Sequence, residues 1–390
     1  GSGAHADNRV TSVVQATVRD GAQLEAGGVD IRAYNETAKP SGFSATGGAG
    51  GLANYSAVKS ASEIAHQTRA ALGQKAVIKV TGGDQMAKVA AINNIDVYDR
   101  ASLDTGLGIE IAKTESIIDV TRSEAEVHVG SGAQVQSAGG IGLAAGGDIL
   151  VSTSASSRTY GAAGAAQGAS RSTINATKMV RIDKGASLDA RGDIAVYAGE
   201  DLDDRESTVR AVARTDLYNK TMFPIQTRPD ADAAVNYVYR IDVAENAKLK
   251  AAGNISLLAK NGTIIADGKG QGTDAYRELM AEIANAFASL FRAGEVSLSI
   301  KGGNSQVTGR SIVTVDGTVE TGSRARISLH VDANGKVTHT DEAISYEIHE
   351  EDLIAHYVNR LKDLVELRQR YYDDVGQRLS LEAEIHLLVQ

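Results

Sequence analysis

GASLDARGDIAVYAG, residues 185–199, is the stretch on which the fold turns. Ala186, Leu188, Ile194 and Val196 fall on one side of an extended chain. Ser187, Asp189 and Asp193 fall on the other, and Gly192 interrupts the alternation. Side chains of a strand point to opposite faces in turn, so this is strand chemistry in two short pieces. Either the stretch is an ordinary strand-turn-strand or it is one copy of a repeat.

The same pattern recurs. VRDGAQLEAGGVDIRA starts at Val18, IDVYDRASLDTGLGIEIA at Ile95, VHVGSGAQVQSAGGIGLAA at Val127 and IDVAENAKLKAAGNISLLA at Ile241. A looser copy, VTVDGTVETGSRARISLHV, starts at Val313. Aligned on one small residue, the anchors are Ala22, Ala101, Ala133, Ala186, Ala247 and Gly317. Val18, Val97, Val129, Ile182, Val243 and Val313 precede them; Leu24, Leu103, Val135, Leu188, Leu249 and Val319 follow. Each unit supplies short strands joined by Gly, Asn or Asp corners, which tolerate positive φ. One unit cannot bury its own apolar face, but stacked units share a continuous core.

The expected fold is therefore mainly β: a right-handed parallel β-helix, or β-solenoid, with a β-sandwich of repetitive strands as the alternative. The anchors are unevenly spaced, by about 30 to 80 residues, where a simple solenoid keeps about 20. The intervening chain must then hold degenerate coils, extruded hairpins, or both. STVRAVARTDLYN (207–219) and AVNYVYRIDV (234–243) read as long strands that run into or project from the stack. SASSRTYGAAGAAQGASRSTINAT (153–177) reads as a flexible or flat projection.

Two segments break the strand pattern. In 273–294, Tyr276, Leu279, Met280, Ile283, Phe287, Leu290 and Phe291 share a helical face, and Gly294 suits a C-cap. That helix is expected to dock on a flank or end of the stack. From Glu347 onward, Ile354, Val358, Leu361, Val365 and Tyr372 recur at helical steps, and LSLEAEIHLLVQ restarts such a pattern. An antiparallel helical hairpin is predicted there, with Ile354, Val358, Leu361, Val365 and Tyr372 as possible helix-mediated contacts. The expected organisation is repeats over 1–271, a helix over 272–294, a further coil over 295–340 and the hairpin over 341–390. The apolar end at Leu387-Leu388-Val389-Gln390 suggests a piece of a longer protein.

Composition narrows the function. Of 390 residues 41 are Gly, 3 are Pro and none is Trp or Cys, so small aliphatic side chains must fill the core. The formal charge of −9 argues against nucleic acid as the main partner, since phosphate binding needs a basic stripe. Without Cys there are no disulfides, no Cys-ligated zinc and no thiol catalysis. No run of apolar residues is long enough for a membrane-spanning helix.

Catalytic signals are sparse. Neither a nucleophile elbow, a Walker loop nor a His-Glu-x-x-His motif occurs. GGIGLAAGG (139–147) has the glycines of a phosphate loop but belongs to the repeat. His349 and His356 lie among Glu350, Glu351 and Asp352, best read as an acidic helix start. EDLDDRE (200–206) offers Asp201, Asp203 and Asp204 as candidate Ca²⁺ ligands, with a solvated loop as the plainer reading. A carbohydrate-active β-helix would need acids and bases aligned across coils, and Asp183, Asp193, Asp242 and Arg240 give no sign of that.

The pattern Φ-x-Φ-x-x-x-Ala-x-Leu-x-Ala-x-Gly-x-Ile-x-Leu/Val-x-Ala, over about residues 10–335, resembles the repeats of very large bacterial exoproteins. These are the filamentous-haemagglutinin-like and leukotoxin-type filamentous adhesins. Leu367-Arg368-Gln369-Arg370-Tyr371 and Glu382-Ala383-Glu384-Ile385 look like helical insertions found in some of them. The resemblance implies secretion or surface attachment, a β-helical shaft, and contact with host-cell, cell-surface or matrix components. No catalytic residue carries over, so the expectation is a non-enzymatic, cofactor-free structural segment. A self-assembling extracellular filament or surface-layer subunit, joined through solenoid ends or the helical hairpin, is the alternative.

Overall fold

The computed structural model describes residues 2–41, 44–50, 52–106, 108–260, 262–290 and 299–331. The chain divides into two units, Gly1–Asp341 and Glu342–Gln390. The expected hairpin with Ile354, Val358, Leu361, Val365 and Tyr372, and the part of the 295–340 coil beyond Val331, lie outside the described residues.

Six strands of four residues form a sheet of their own: Gln23–Ala26, Val77–Val80, Gln134–Ser137, Ser187–Ala190, Lys248–Ala251 and Thr318–Thr321. Every pairing is parallel and in register, so Leu24, Ile78, Val135, Leu188, Leu249 and Val319 form one column. Ser187 and Asp189 point outward beside Gln134 and Gln136 on one neighbour and Lys248 and Lys250 on the other. Of the repeat anchors, Ala22, Ala133, Ala186, Ala247 and Gly317 each sit just ahead of one of these strands, and Ala133, Ala186 and Ala247 are fully buried.

Ala101 is the exception. It lies inside the long strand Met86–Gly106, paired with Ala45 and Ala155, while Ala76 takes the slot before Val77–Val80. The motif from Ile95 matches because a glycine turn between in-phase aliphatics reads alike at either edge of a layer. With Ala76 restored, one layer follows another about every 53 to 70 residues, and among the described residues no degenerate coils intervene.

The second sheet has 15 strands and accounts for the length of each layer. Along one side, Ser2–Val18, Ala53–Leu72 and Ile109–Val129 stack in parallel, each paired with the strand one layer on. Ile149–Ile182 and Val209–Val243 serve both sides. Ile149–Thr159 pairs with Ile95–Thr105, and Ala163–Ile182 pairs with Ile109–Val129. The turn between them falls at Gly161, whose φ of 141° lies where an L side chain is strained. Val209–Val243 stacks over the whole of Ile149–Ile182. The glycine-rich 139–147 stretch is the plain strand Gly140–Gly146, without a following helix. Mainly β structure with long parallel strands in repeated register is consistent with a β-solenoid.

The interior changes character along each layer. Next to the six-stranded sheet it is aliphatic: Val127, Val129, Val135, Ile141, Leu143 and their equivalents are sealed from solvent. Toward the glycine turns it is thin and polar, and the two sides meet through hydroxyls. Thr153 Oγ1 and Ser172 Oγ are 3.0 Å apart, and Ser116 Oγ donates to the Asp99 carbonyl at 3.0 Å. A Cβ on Gly168 would come within 2.7 Å of Leu217 Cδ2 and 2.8 Å of Thr215 Cγ2, so only a small residue permits that approach. This thin part includes residues 153–177, expected as a flexible or flat projection and observed within the long strand Ile149–Ile182. We refer to it as the blade.

The helix expected over 272–294 is observed as α1, Ala275–Leu290. It follows the blade strand Ile264–Asp274, and Asp274 caps it by accepting from the Arg277 amide at 2.8 Å. Tyr276 and Leu279, the first members of the apolar stripe, are 61% and 53% exposed, while the helix lies against Val209–Val243 and Ile264–Asp274, with Glu278 accepting from the Tyr218 hydroxyl at 3.3 Å.

Leu188→Ala, at the centre of the stacked column, is expected to cost about 3 kcal/mol in urea unfolding, as large-to-small changes in rigid cores do. Asp189→Lys, one residue away on the outer face, is expected to change stability by less than about 0.5 kcal/mol.

Candidate functional site

The acidic stretch around Asp201 forms a hairpin on the outside of the stack. Gly199, at φ 100°, turns the chain away, and Glu200 and Glu206 form an antiparallel bridge that closes the loop. Asp201 Oδ1 accepts from the Asp203 amide at 2.9 Å and the Arg205 amide at 3.0 Å, so its carboxylate shapes the turn. The Arg205 guanidinium pairs with Asp148, which also accepts from the Thr208 amide at 2.8 Å. Glu200 is buried with Lys260 Nζ at 3.3 Å; burial raises its pKa and the lysine opposes that rise. Among the described residues no group of three or more His, Asp or Glu is placed to hold a metal ion. Asp201, Asp203 and Asp204 are thus neighbours in sequence without forming a ligand set. Between this loop and the sheet, a cleft of about 230 Å³ is lined by Arg32, Tyr34 and Asn94 on one side and Arg205 and Glu206 on the other.

Inside the stack, where the aliphatic core gives way to the blade, runs a set of polar contacts that the repeat pattern did not reveal. Thr37 Oγ1 lies 2.9 Å from His66 Nε2, and His66 Nδ1 lies 2.8 Å from Asn93 Oδ1. Asn93 Nδ2 in turn donates to Ser123 Oγ at 2.8 Å. An amide oxygen only accepts, so Nδ1 carries the proton, while the threonine hydroxyl can serve Nε2 as donor or acceptor. Burial lowers the pKa of the ring against the opposing effect of Asn93, which favours the neutral form. Asp99, wholly buried in the blade, accepts from Ser60, from Ser62 at 2.9 Å, from Lys39 at 3.1 Å and from the Arg100 amide at 3.0 Å. These groups satisfy one another and present no nucleophile to solvent.

In the layer after that of Asn93, Lys178 also turns inward, in register with Ala125 and so two residues along from Ser123, the partner of His66. Its ammonium donates to the Gly147 carbonyl and sits 5.2 Å from the centre of the buried Tyr239 ring. Burial lowers its pKa to about 7, with Asp148 pulling weakly the other way. The Tyr239 hydroxyl is buried with no hydrogen-bond partner, and burial raises its pKa. Lys178 and Tyr239 were invisible as a pair in the sequence, since 61 positions separate them and only the parallel register joins Thr177–Val180 to Val238–Ile241.

On the outer faces, charges form ladders. Arg69 reaches Glu126 at 3.3 Å and His128 at 2.6 Å, His128 reaches Asp183 at 2.8 Å, and Arg240 pairs with Asp242 at 2.6 Å. Asp183, Asp242 and Arg240, weighed above as possible catalytic groups, are held in these pairs; Asp193 instead caps the Asn254 amide at 2.7 Å. No protein-family model, curated protein or solved structure matches the chain.

Two expectations follow. Adding Ca²⁺ or a chelator is expected to leave the melting temperature unchanged, as followed by circular dichroism; a shift of several degrees with Ca²⁺ would restore a metal role to Asp201–Asp204. Lys178→Met is expected to stabilise the protein at pH 7. A lysine with a lowered folded pKa binds fewer protons folded than unfolded, so its penalty is full below the folded value and fades as pH rises toward 10.5. A shift of this size corresponds to about 5 kcal/mol at most, and the gain from Lys178→Met should shrink steadily between pH 7 and 10. Tyr239 is present in both proteins, so the difference isolates Lys178.

Proposed function

We propose that the chain is a right-handed parallel β-helix and a non-enzymatic structural segment of a large secreted or surface-attached bacterial exoprotein of the filamentous-adhesin kind. The observation that carries the reading is the unbroken column from Leu24 to Val319, one residue per layer in six consecutive layers. Stacking of this kind builds length and resistance to unfolding without cysteines or cofactors.

The dimensions refine what such a segment does. Strands lie about 4.8 Å apart, so six layers advance a shaft by only about 25–30 Å. A 21-residue strand such as Ile109–Val129 extends about 70 Å across it. Most of the chain is therefore spent on lateral surface. We read the segment as a place where the shaft carries a broad blade, and the partners as host-cell, cell-surface or matrix components met by that blade.

A self-assembling filament or surface-layer subunit is the second reading, favoured by the ends of the stack. Ile327 and Leu329 are 45% and 58% exposed, while Ile255 and Leu257 beneath them are fully buried. Leu24 at the other end is 39% exposed. Sedimentation velocity separates the two: a single concentration-independent species supports the shaft segment, and growth into a ladder of oligomers supports self-assembly. For the architecture itself, small-angle scattering from residues 1–341 is expected to give a flat particle with one dimension near 70 Å and one near 30 Å. A globular distance distribution would count against the blade.

A further inference from the structure

The outer face of the blade next to α1 departs from the charge ladders elsewhere. Here the register sets outward side chains on a grid. Ser156, Arg158 and Tyr160 lie along one strand; Asp216, Tyr218 and Lys220 pair with them on the next. Gln271 and Thr273 pair with Asp216 and Tyr218 on the strand after. Outward residues are about 7 Å apart along a strand and about 4.8 Å apart across strands, so Tyr218 has a polar neighbour on every side. Arg158, Tyr160, Asp216, Tyr218, Gln271 and Thr273 line an open cleft of about 430 Å³.

Two features mark this cleft as built for a ligand. The first is its aromatic floor. The Tyr160 and Tyr218 rings stand 6.4 Å apart at 66°, and the Tyr218 hydroxyl is tied to Glu278 of α1 at 3.3 Å, which fixes the ring. Lys220 Nζ lies over one face of the Tyr218 ring, 5.7 Å from its centroid, so a ligand would stack on the other face. The second is its unspent polar rim. Elsewhere on this blade Arg214 pairs with Asp267, Arg228 with Asp230 at 2.9 Å and Arg171 with Asp232 at 3.7 Å. Arg158, Asp216, Gln271 and Thr273 have no side-chain hydrogen-bond or ion-pair partner among the described residues, although Arg158 and Asp216 are diagonal neighbours of opposite charge.

We propose that this cleft binds a neutral oligosaccharide. A pyranose has an apolar C–H face that stacks on an aromatic ring and a rim of hydroxyls that both donate and accept. Tyr218 matches the face. Arg158 supplies donors, Asp216 acceptors, and Gln271 and Thr273 both, at the perimeter a ring stacked on Tyr218 would reach. The grid spans two sugar units, with Tyr160 beside the second. A polyanion does not suit a cleft lined by Asp216 with Glu278 against its Tyr218 hydroxyl, and a lipid surface does not suit one rimmed by unpaired polar groups. A saccharide site here requires neither secretion nor a shaft role.

The test is saturation-transfer NMR on the full chain with lactose, cellobiose and N,N′-diacetylchitobiose as separate probes, followed by titration. Saturable millimolar binding of at least one is expected, weakened about tenfold or more by Asp216→Ala and by Tyr160→Ala, each removing one face or rim contact. Both side chains point outward, so unchanged melting curves check that the variants fold. Tyr34→Ala, in the separate cleft beside Asp201, should bind as the parent does. Failure of all three probes to bind, or equal binding by parent and both cleft variants, overturns the proposal.

Discussion

Each strand in this protein depends on the one a layer away for its backbone hydrogen bonds, and that dependence organises everything else. In a parallel stack the N–H and C=O groups of one layer are satisfied only by the layers above and below. A slip by one residue would send every inward side chain out, so register is enforced wherever an apolar column exists. The column from Leu24 to Val319 enforces it at one end of the layer. At the far end, where aliphatics give out, the Ser, Thr and Asp contacts around Asp99, Thr153 and Ser172 take over.

That division explains the composition. A thin blade has little room for aromatic side chains, and its interior is mostly Gly, Ala, Ser and Thr with Val58, Leu103 and Leu217 among them. Buried hydroxyls and carboxylates cost little when partnered and much when not. Asp99 is fully partnered, whereas Lys178 is buried with one carbonyl and a ring, and Tyr239 keeps an unmade hydrogen bond. His66, Asn93 and Lys178 lie at the junction between core and blade, while the blade itself keeps buried polar atoms without a partner on Glu110, Ser157 and Thr159.

Much of the architecture was readable from short windows, because the motif around Ala186 repeats with its corner residues. Leu188, Ile194 and Val196 pack as their alternation required, and Asp189 faces outward between Gln136 and Lys250. The layer length was not readable that way. Ala101 satisfies the motif at the wrong edge of a layer, and Ala76 was hidden because Val77-Ile78-Lys79-Val80 lacks the second alanine and a Gly-Gly-Asp-Gln spacer follows. The Tyr218 cleft was illegible for a different reason. Its members are scattered from Arg158 to Thr273, and only the register between layers makes them neighbours. Pattern within a strand reports which face a residue takes; pattern across strands needs the layer length first.

Because the chain has no cysteine, paired cysteines can read that register directly. Cα partners across adjacent strands lie within the separation a disulfide needs. Ser187→Cys with Lys248→Cys and, in the blade, Thr173→Cys with Ala234→Cys should each form an intramolecular disulfide in mild oxidant. Thr173→Cys with Asn236→Cys, two residues out of register, should form far less. Efficient crosslinking of the in-register pairs alone would establish the layered stack across core and blade; failure of those pairs, or equal crosslinking of the shifted one, would contradict it.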